Sequence, residues 1–172
     1  MRRILCEEPF SAIAEREFDA VIVGGGLAGV YTALNLPDSM RVLLLLKRDA
    51  RNASSWYAQG GVAAVTLPED SLEAHIRDTL AAGAGLCDEA AVRVLVTEGP
   101  DRIRDLTALG VPFDRTPAGR IDVGREGSHS YKRIIHCGKD VTGRVILQRL
   151  YEQLLARPQV EVRAGAALCD VV

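Results

Sequence analysis

The fold is decided by residues 19–46, which have the sequence DAVIVGGGLAGVYTALNLPDSMRVLLLL. Residues 19–23 predict a short buried strand, and residues 26–36 predict a helix that is apolar nearly all round, as a helix packed on a sheet is. Pro37 ends that helix. The continuous apolar run at 41–46 predicts a strand buried on both faces, which is typical of parallel sheets. The sequence therefore predicts a strand–helix–strand unit of an α/β fold.

Three glycines between the first strand and the helix form a recognisable motif. Gly24, Gly26 and Gly29 stand as G-x-G-x-x-G. This spacing allows a tight turn, lets a pyrophosphate reach the backbone and lets the helix pack closely on the strand. The N-terminus of the helix then presents N–H groups and a partial positive charge to phosphates. Because a predicted strand precedes the motif and a predicted helix follows it, we expect a Rossmann-like domain with a central parallel sheet.

Lys47 departs from the simplest dinucleotide-binding pattern. An acidic residue is expected to bond a ribose at the end of the second strand, about 20 residues after the glycines. Lys47 occupies that place, and Asp49 follows two residues later. An NAD-specific dehydrogenase is therefore less favoured than a relative with different ribose contacts. A solvated strand end explains Lys47 equally well.

The segment after the second strand has no regular period. Residues 48–61, RDARNASSWYAQGG, predict a long ordered loop of the kind that often carries function. Its hydroxyls, amide, adjacent glycines and bare backbone suit a flat, polar, multi-ring ligand. The alternative is a glycine-rich surface loop, which Trp56 and Tyr57 fit poorly because exposed aromatic side chains usually have a reason.

Downstream of this loop, apolar periodicity and capping signals predict four helices and two strands. The first helix runs from a capping box at Asp70 and Glu73 to Gly83, and the second lies around Val92, Leu95 and Val96. The third helix runs from Pro100 to Gly110, and the fourth covers residues 142–157. The strands cover residues 159–163 and 167–172. Residues 111–138 are expected to be mostly loop with short strands. These helices are insertions into the α/β domain, and no domain boundary is evident.

Composition excludes several classes of protein. The chain has 172 residues, of which 48% are hydrophobic and 26% charged, so it can bury a core. A net charge of −2 argues against a general nucleic-acid binder. No apolar run approaches the roughly 18 residues of a membrane span, and the N-terminus lacks the apolar core of a secretory signal. We therefore expect neither a nucleic-acid nor a membrane partner.

The cysteines and histidines do not predict a metal site. Neither set shows metal-ligand spacing, and the residues are Cys6, Cys87, Cys137, Cys169, His75, His129 and His136. Free thiols in a reducing cytoplasm are the favoured interpretation. We interpret His129 and His136 as hydrogen-bonding loop residues rather than proton-transfer groups. A locally basic stretch contains Arg120, Arg125, Lys132, Arg133, Lys139 and Arg144. That stretch either attracts an anionic ligand or forms a solvated charged face.

Several separated motifs, taken in order, resemble the L-aspartate oxidase family of the succinate dehydrogenase and fumarate reductase flavoprotein superfamily. The likeness runs from about Asp19 to the end of the chain. The motifs are GGGLAG at 24–29, the strand end at Lys47, SSWYAQGGVAAV at 54–65, DSLEAHIRDTLAAGAGLCDEAAV at 70–92, LGVPFD at 109–114, REGSHSYKRIIH at 125–136 and DVTGR at 140–144.

This resemblance implies an FAD enzyme of NAD biosynthesis that oxidises L-aspartate to iminoaspartate. Electrons would pass to oxygen or fumarate, and quinolinate synthase would consume the product. The implied pyrophosphate-binding residues are Gly24, Gly25, Gly26, Leu27, Ala28 and Gly29. Lys47 would lie near the adenosine, and the flavin would be lined by Ser54, Ser55, Trp56, Tyr57, Ala58, Gln59, Gly60 and Gly61. Glu126 matches the family's acidic residue that orients the substrate amino group.

Two positions distinguish this family from its relatives. Succinate-oxidising relatives carry a histidine that binds the flavin covalently, and Ser54 aligns with it. Serine cannot make that histidyl bond, so the resemblance implies non-covalent FAD. Glu126 suits an ammonium-bearing substrate and would repel an unsubstituted dicarboxylate. By residue type alone, a solvated loop carboxylate is the commoner interpretation of Glu126, and only the motif context favours the substrate role.

Members of the family are considerably longer than this chain. We therefore expect residues 1–172 to be the N-terminal portion of an FAD-binding domain, without the capping domain, the C-terminal part and the general acid/base. We expect negligible oxidase activity from this portion alone. The alternatives are a succinate- or fumarate-type flavoprotein subunit and a nucleotide-binding module without catalysis.

Overall fold

The computed structural model describes residues 14–169 and residue 171. Cys6 and residues 1–10, over which no secretory signal is expected, lie outside the described residues. Within the described part, strands and helices are mixed along the chain, as in an α/β protein. The elements are β1 (Ala20–Val23), α1 (Leu27–Asn35), β2 (Val42–Leu46), β3 (Val62–Ala63), α2 (Leu72–Ala82), α3 (Glu89–Ala108), β4 (Val123–Gly124), β5 (Ile134–Ile135), α4 (Thr142–Leu155) and β6 (Val160–Ala164).

The chain divides into two compact units, and the first holds a parallel sheet. This unit contains the described residues up to Trp56 and from Leu150 onward. Its strand order is β1–β2–β6, with both pairings parallel. β2 is the middle strand. All of its residues are apolar, and it is buried along most of its length. The predicted strand–helix–strand unit and parallel sheet are confirmed.

The second unit comprises Tyr57–Arg149. A small antiparallel sheet of order β3–β5–β4 forms one part of it. α2 and α3 form another part and pack through Ile76, Val92 and Val96. β5 is the central strand, and both of its isoleucines are buried. The loop with short strands expected over residues 111–138 is confirmed.

The prediction of two helices on either side of Pro100 is wrong. A single helix, α3, runs through that proline. An interior proline removes one backbone hydrogen bond and crowds the preceding turn. α3 nevertheless continues because both halves bury apolar side chains, with Val96 on one side of the proline and Ile103 on the other. Tertiary burial therefore outweighs the local helix-breaking signal.

The predicted capping box at Asp70 and Glu73 is also wrong. Ser71 is the N-cap of α2, and its hydroxyl accepts a hydrogen bond from the Ala74 N–H. The Asp70 carboxylate instead accepts the Ser71 N–H and two bonds from Arg133. The start of α2 is therefore shifted by one residue because Asp70 is committed to a distant arginine. Gly83 ends the helix as expected.

Two further segments differ from expectation. The loop at 48–61 contains two short 3-10 turns, Ala50–Asn52 and Ser54–Tyr57. Residues 167–169 and residue 171 form no strand, and the rest of the strand expected at 167–172 lies outside the described residues. Among the described residues, no helix is both long and apolar enough to cross a membrane.

Candidate cofactor-binding site

The turn between β1 and α1 is made of glycines because side chains have no room there. A Cβ atom on Gly29 would overlap the carbonyl oxygen of Gly24, and one on Gly25 would overlap the Leu46 side chain. Gly24 has φ +112°, a backbone conformation that residues with side chains rarely adopt. The spacing seen in the sequence is therefore a steric requirement of this turn. The requirement leaves the backbone of the turn bare.

The N-terminus of α1 is joined to the loop that follows β2. Gly26 is the N-cap of α1 and offers no side chain to cap it. Ser55 caps the helix instead, since the Leu27 N–H donates to its hydroxyl oxygen at 3.0 Å. A Cβ on Gly26 would lie only 3.3 Å from that oxygen. The loop is thereby held beside the first-turn N–H groups, which have no partner within their own helix.

A cleft of about 420 Å³ lies where β1 and β2 end. The two strands are parallel, so their carboxyl ends meet at this edge, which is where open α/β sheets bind ligands. The lining consists of the glycine turn, the end of β2 and the following loop: Gly24–Gly26, Leu46–Ala50 and Asn52–Ser55. Bare backbone, a helix N-terminus and hydroxyl groups therefore meet in one cleft of the first unit.

The charges along this cleft favour an anion. Lys47 and Arg48 line it and are exposed. Asp49 is held in an ion pair with Arg51, at 3.0 Å between a carboxylate oxygen and Nε. The side-chain hydrogen bond from Arg51 lowers the pKa of Asp49, and the Arg51 backbone N–H adds to the effect. The acidic side chain nearest the expected ribose position is thus already paired.

The residues that the sequence predicts to hold the cofactor belong to both units, and only some of them line the cleft. The cleft contains Gly24, Gly25, Gly26, Lys47, Ser54 and Ser55. Leu27, Ala28 and Gly29 form the first turn of α1, and Trp56 is half-buried in a 3-10 turn. The remaining residues of the predicted flavin loop belong to the second unit: Tyr57, Ala58, Gln59, Gly60 and Gly61. The cofactor contacts of all these residues remain predictions.

Glu126 lies in the second unit, two residues after β4. Its side chain is 54% exposed, and one carboxylate oxygen lies 3.3 Å from Nε2 of His136. The backbone around it is held by the Arg133 N–H, which donates to the carbonyl oxygen of Gly124 at 3.0 Å. An exposed carboxylate at this position is accessible to a cationic group. The role of Glu126 toward a substrate remains a prediction.

Arg133 was missed as a structural centre of the second unit. The sequence groups it with five other basic residues, as an anion-attracting stretch or a solvated face, and both alternatives are wrong for Arg133. Its guanidinium is wholly buried and donates to both Asp70 oxygens at 2.8 Å and to Asp78 at 2.6 Å. Ser130 donates both its N–H and its hydroxyl to Asp78. No local signal predicts this cluster because its acidic residues precede Arg133 by more than 50 positions.

Within the described residues, no group of histidine, cysteine or acidic side chains is arranged to hold a metal ion.

Comparison with known proteins identifies the family of this chain and several of its relatives. The FAD binding domain family matches residues 19–172. The L-aspartate oxidase of Neisseria meningitidis is 45% identical over 157 residues, which cover 91% of this chain and 31% of that protein. The chloroplastic L-aspartate oxidase 2-b of Nicotiana tabacum is 46% identical over 147 residues, which cover 86% of this chain and 22% of that protein.

A solved structure shows the same fold. The FrdA chain of Escherichia coli quinol fumarate reductase superposes with a TM-score of 0.80 and 31% identity, over 84% of this chain and 25% of that one. The chain thus spans less than a third of the length of these relatives. Since the family match extends over residues 19–172, the chain belongs to the FAD-binding domain family.

Proposed function

We propose that this chain supplies the FAD-binding part of an L-aspartate oxidase, which oxidises L-aspartate to iminoaspartate. The observation that carries the proposal is the 45–46% identity to proteins of that name over most of the chain. In the proposed pathway, oxygen or fumarate accepts the electrons, and quinolinate synthase uses the product for NAD biosynthesis. The proposed location is the cytoplasm, although the Nicotiana tabacum relative is named as chloroplastic.

The residues at the first unit's cleft fit FAD. The glycine turn leaves backbone uncovered where a Cβ would collide with Gly24 or Leu46. A diphosphate needs such close backbone approach and a helix N-terminus beside it. Lys47 would hold the adenosine end, and the segment from Ser54 to Gly61 would line the ring system. When bound, FAD supplies a hydride acceptor, which amino-acid side chains do not provide.

The attachment of the cofactor follows from Ser54. Ser54 lines the cleft in a 3-10 turn. Its hydroxyl can donate and accept hydrogen bonds, but it has no imidazole with which to form a histidyl–flavin bond. We therefore propose that FAD is held without a covalent link.

The proposed substrate contact lies at Glu126. A carboxylate attracts the ammonium group of an α-amino acid and repels a carboxylate, so it separates aspartate from a plain dicarboxylate. The 54% exposure of this side chain leaves it accessible to such a group. Its role would be to orient the substrate ammonium rather than to move a proton. The general acid/base of the reaction is proposed to lie in another part of the enzyme.

An acid-precipitation assay tests the cofactor part of the proposal. The chain is loaded with FAD, freed of excess ligand and precipitated with acid. Yellow colour released into the supernatant is expected, because no covalent bond retains it. Colour that stays on the pellet would support the succinate- or fumarate-type alternative, which the FrdA match favours. A colourless protein would support the non-catalytic module.

A substrate-binding assay tests the role of Glu126. We expect Glu126→Gln to weaken L-aspartate binding by about tenfold, the equivalent of about 1.4 kcal/mol, and to strengthen succinate binding, because the charge that repels a plain dicarboxylate is removed. Glu69→Gln is the matched control, since it removes the same charge from another exposed position of the second unit. Equal losses for aspartate and succinate, or for both variants, would contradict the proposed role.

A further inference from the structure

His136 lies directly against the Glu126 carboxylate. Its Nε2 atom is 3.3 Å from a Glu126 carboxylate oxygen, and the two side chains are 25% and 54% exposed. A carboxylate can only accept a hydrogen bond unless it is protonated, so Nε2 is the nitrogen that donates. We propose that His136 is a positioning residue that holds Glu126 for the substrate ammonium, an inference that rests on the proposed function.

The backbone of His136 is fixed on both sides. It directly follows β5, whose two isoleucines are buried between β3 and β4. Its carbonyl oxygen accepts the Asp114 N–H at 2.9 Å. The next residue, Cys137, is buried, and its N–H donates to the Thr142 hydroxyl. The imidazole is therefore attached to a backbone position that is held by hydrogen bonds and by buried neighbours on both sides.

Two glycines make the space for the ring. A Cβ on Gly61 would lie 3.0 Å from Nε2 of His136, and a Cβ on Gly124 would lie 3.6 Å from Cε1. The imidazole ring therefore packs against two glycines, Gly61 just before β3 and Gly124 at the end of β4. A larger residue at Gly61 would also collide with Ile134. The glycine at 61, predicted as a flavin contact, has this second role in seating the imidazole.

The Glu126 loop needs such support. Its backbone is held at Gly124, where the carbonyl oxygen accepts the Arg133 N–H, and at Ser130, which donates to Asp78. These bonds, and the one that the His129 N–H donates to the Glu126 carbonyl oxygen at 3.3 Å, hold the backbone of the loop and do not fix the Glu126 side chain. A side chain with three rotatable bonds loses entropy when a ligand orders it. A donor at His136 would fix the carboxylate before the substrate arrives.

The same imidazole borders a cleft of about 330 Å³ that other charged groups line. These are Asp114, Asp122 and Lys139. The Asp114 carboxylate already accepts the N–H groups of Gly138 and Lys139. Asp122 also lines the cleft. Among the described residues, no hydrogen bond joins the side chain of Asp122 to Glu126. Asp122 provides the matched control for a change of charge near the ring.

The test measures ligand binding by the FAD-loaded full chain, with isothermal calorimetry for L-aspartate and for succinate. His136→Ala is expected to weaken aspartate binding about fivefold and not to weaken succinate binding, because the lost donor acts only through Glu126, which attracts aspartate and repels succinate. His136→Gln keeps an N–H donor near the position of Nε2 and is expected to restore most of the affinity. Asp122→Asn is expected to change neither ligand. Circular dichroism verifies that each variant is folded.

The outcomes separate this inference from the proposed function. If Glu126→Gln weakens aspartate and His136→Ala does not, the positioning role is wrong and the substrate proposal stands. If Glu126→Gln has no effect on aspartate, the substrate role of Glu126 fails as well. Equal weakening of aspartate and succinate by His136→Ala would show a general structural role and overturn the inference. A spectrum that places the imidazole proton on Nδ1 would also overturn it.

Discussion

Replacing Arg133 by methionine should destabilise the second unit more than any exposed charge change. The Arg133 side chain is 0% exposed, while those of its partners Asp70 and Asp78 are 1% and 13% exposed. Methionine fills much of the same volume but donates no hydrogen bonds. Arg133→Met therefore leaves two carboxylates in place without the cation that neutralises them.

The size of the effect follows from burial. Removing one partner of a buried ion pair costs about 3–5 kcal/mol, because the remaining charge stays desolvated. Burial alone would raise the pKa of Asp78, but hydrogen bonds from Ser130 and Arg133 outweigh it and hold the pKa at about 2. Without Arg133 the Asp78 carboxylate would bind a proton more readily, so the loss of stability should be smaller in acid. We expect about 3 kcal/mol near pH 7.

Urea unfolding followed by far-ultraviolet circular dichroism measures this loss. Arg93→Met is the matched control, because Arg93 forms exposed ion pairs with Glu73 and Glu89 and should lose at most about 1 kcal/mol. Adding Asp70→Asn and Asp78→Asn to Arg133→Met should recover much of the stability, since no buried charge then remains. A loss for Arg133→Met no larger than for Arg93→Met would show that the buried ion pairs of Arg133 do not stabilise the second unit.

Three further outcomes are expected. The pKa of Asp78 is lowered from 3.8 to about 2, so its contribution to stability is complete above pH 3.8 and is lost as the pH falls through about 2. The melting temperature should therefore fall less steeply between pH 5 and pH 2 in Asp78→Asn than in the parent chain. Gly29→Ala forces a collision with Gly24 and should abolish FAD binding in a flavin-fluorescence titration, whereas Gly99→Ala, whose Cβ has room, should bind FAD normally. Ser55→Ala removes the cap of α1 and should lower the unfolding free energy by about 1 kcal/mol in urea titrations, with unchanged stability contradicting the capping role.

The first unit could be predicted from the sequence because its determinants are local. Gly24 and Gly29 are required by sterics within a single turn, and Pro37 ends α1 whatever surrounds it. The apolar run of β2 indicates burial on both faces and hence a parallel sheet. Each signal lies within the element that it specifies. The position of the cleft at the strand ends then follows from the topology.

The second unit could be predicted only in part because its determinants are distant in sequence. Asp70 has the residue type and spacing of a helix cap, yet it pairs with Arg133, and Ser71 caps α2 instead. Pro100 has the local signal of a helix start, yet α3 continues through it to bury both halves. Capping and breaking propensities are worth a few kcal/mol at most. The burial of apolar side chains along α3 and the ion pairs of the buried Arg133 outweigh these propensities. Neither can be seen in a short window of sequence.

The contact between His136 and Glu126 illustrates the same limit at the site. Ten residues separate them in the chain, and the hairpin formed by β4 and β5 brings them together. The sequence indicates Glu126 only through the family motif and assigns His136 no more than a loop hydrogen bond. Strand pairing was needed to place one beside the other.

The glycine turn is proposed to bind the diphosphate of FAD. Amide chemical-shift mapping, with the ¹⁵N-labelled chain titrated with FAD, reports on the backbone N–H groups of that turn. We expect saturable shifts centred on the amides of Gly24, Gly25, Gly26 and Leu27, and their loss in Gly29→Ala. Saturable binding that shifts other amides and leaves these four unchanged would contradict the claim.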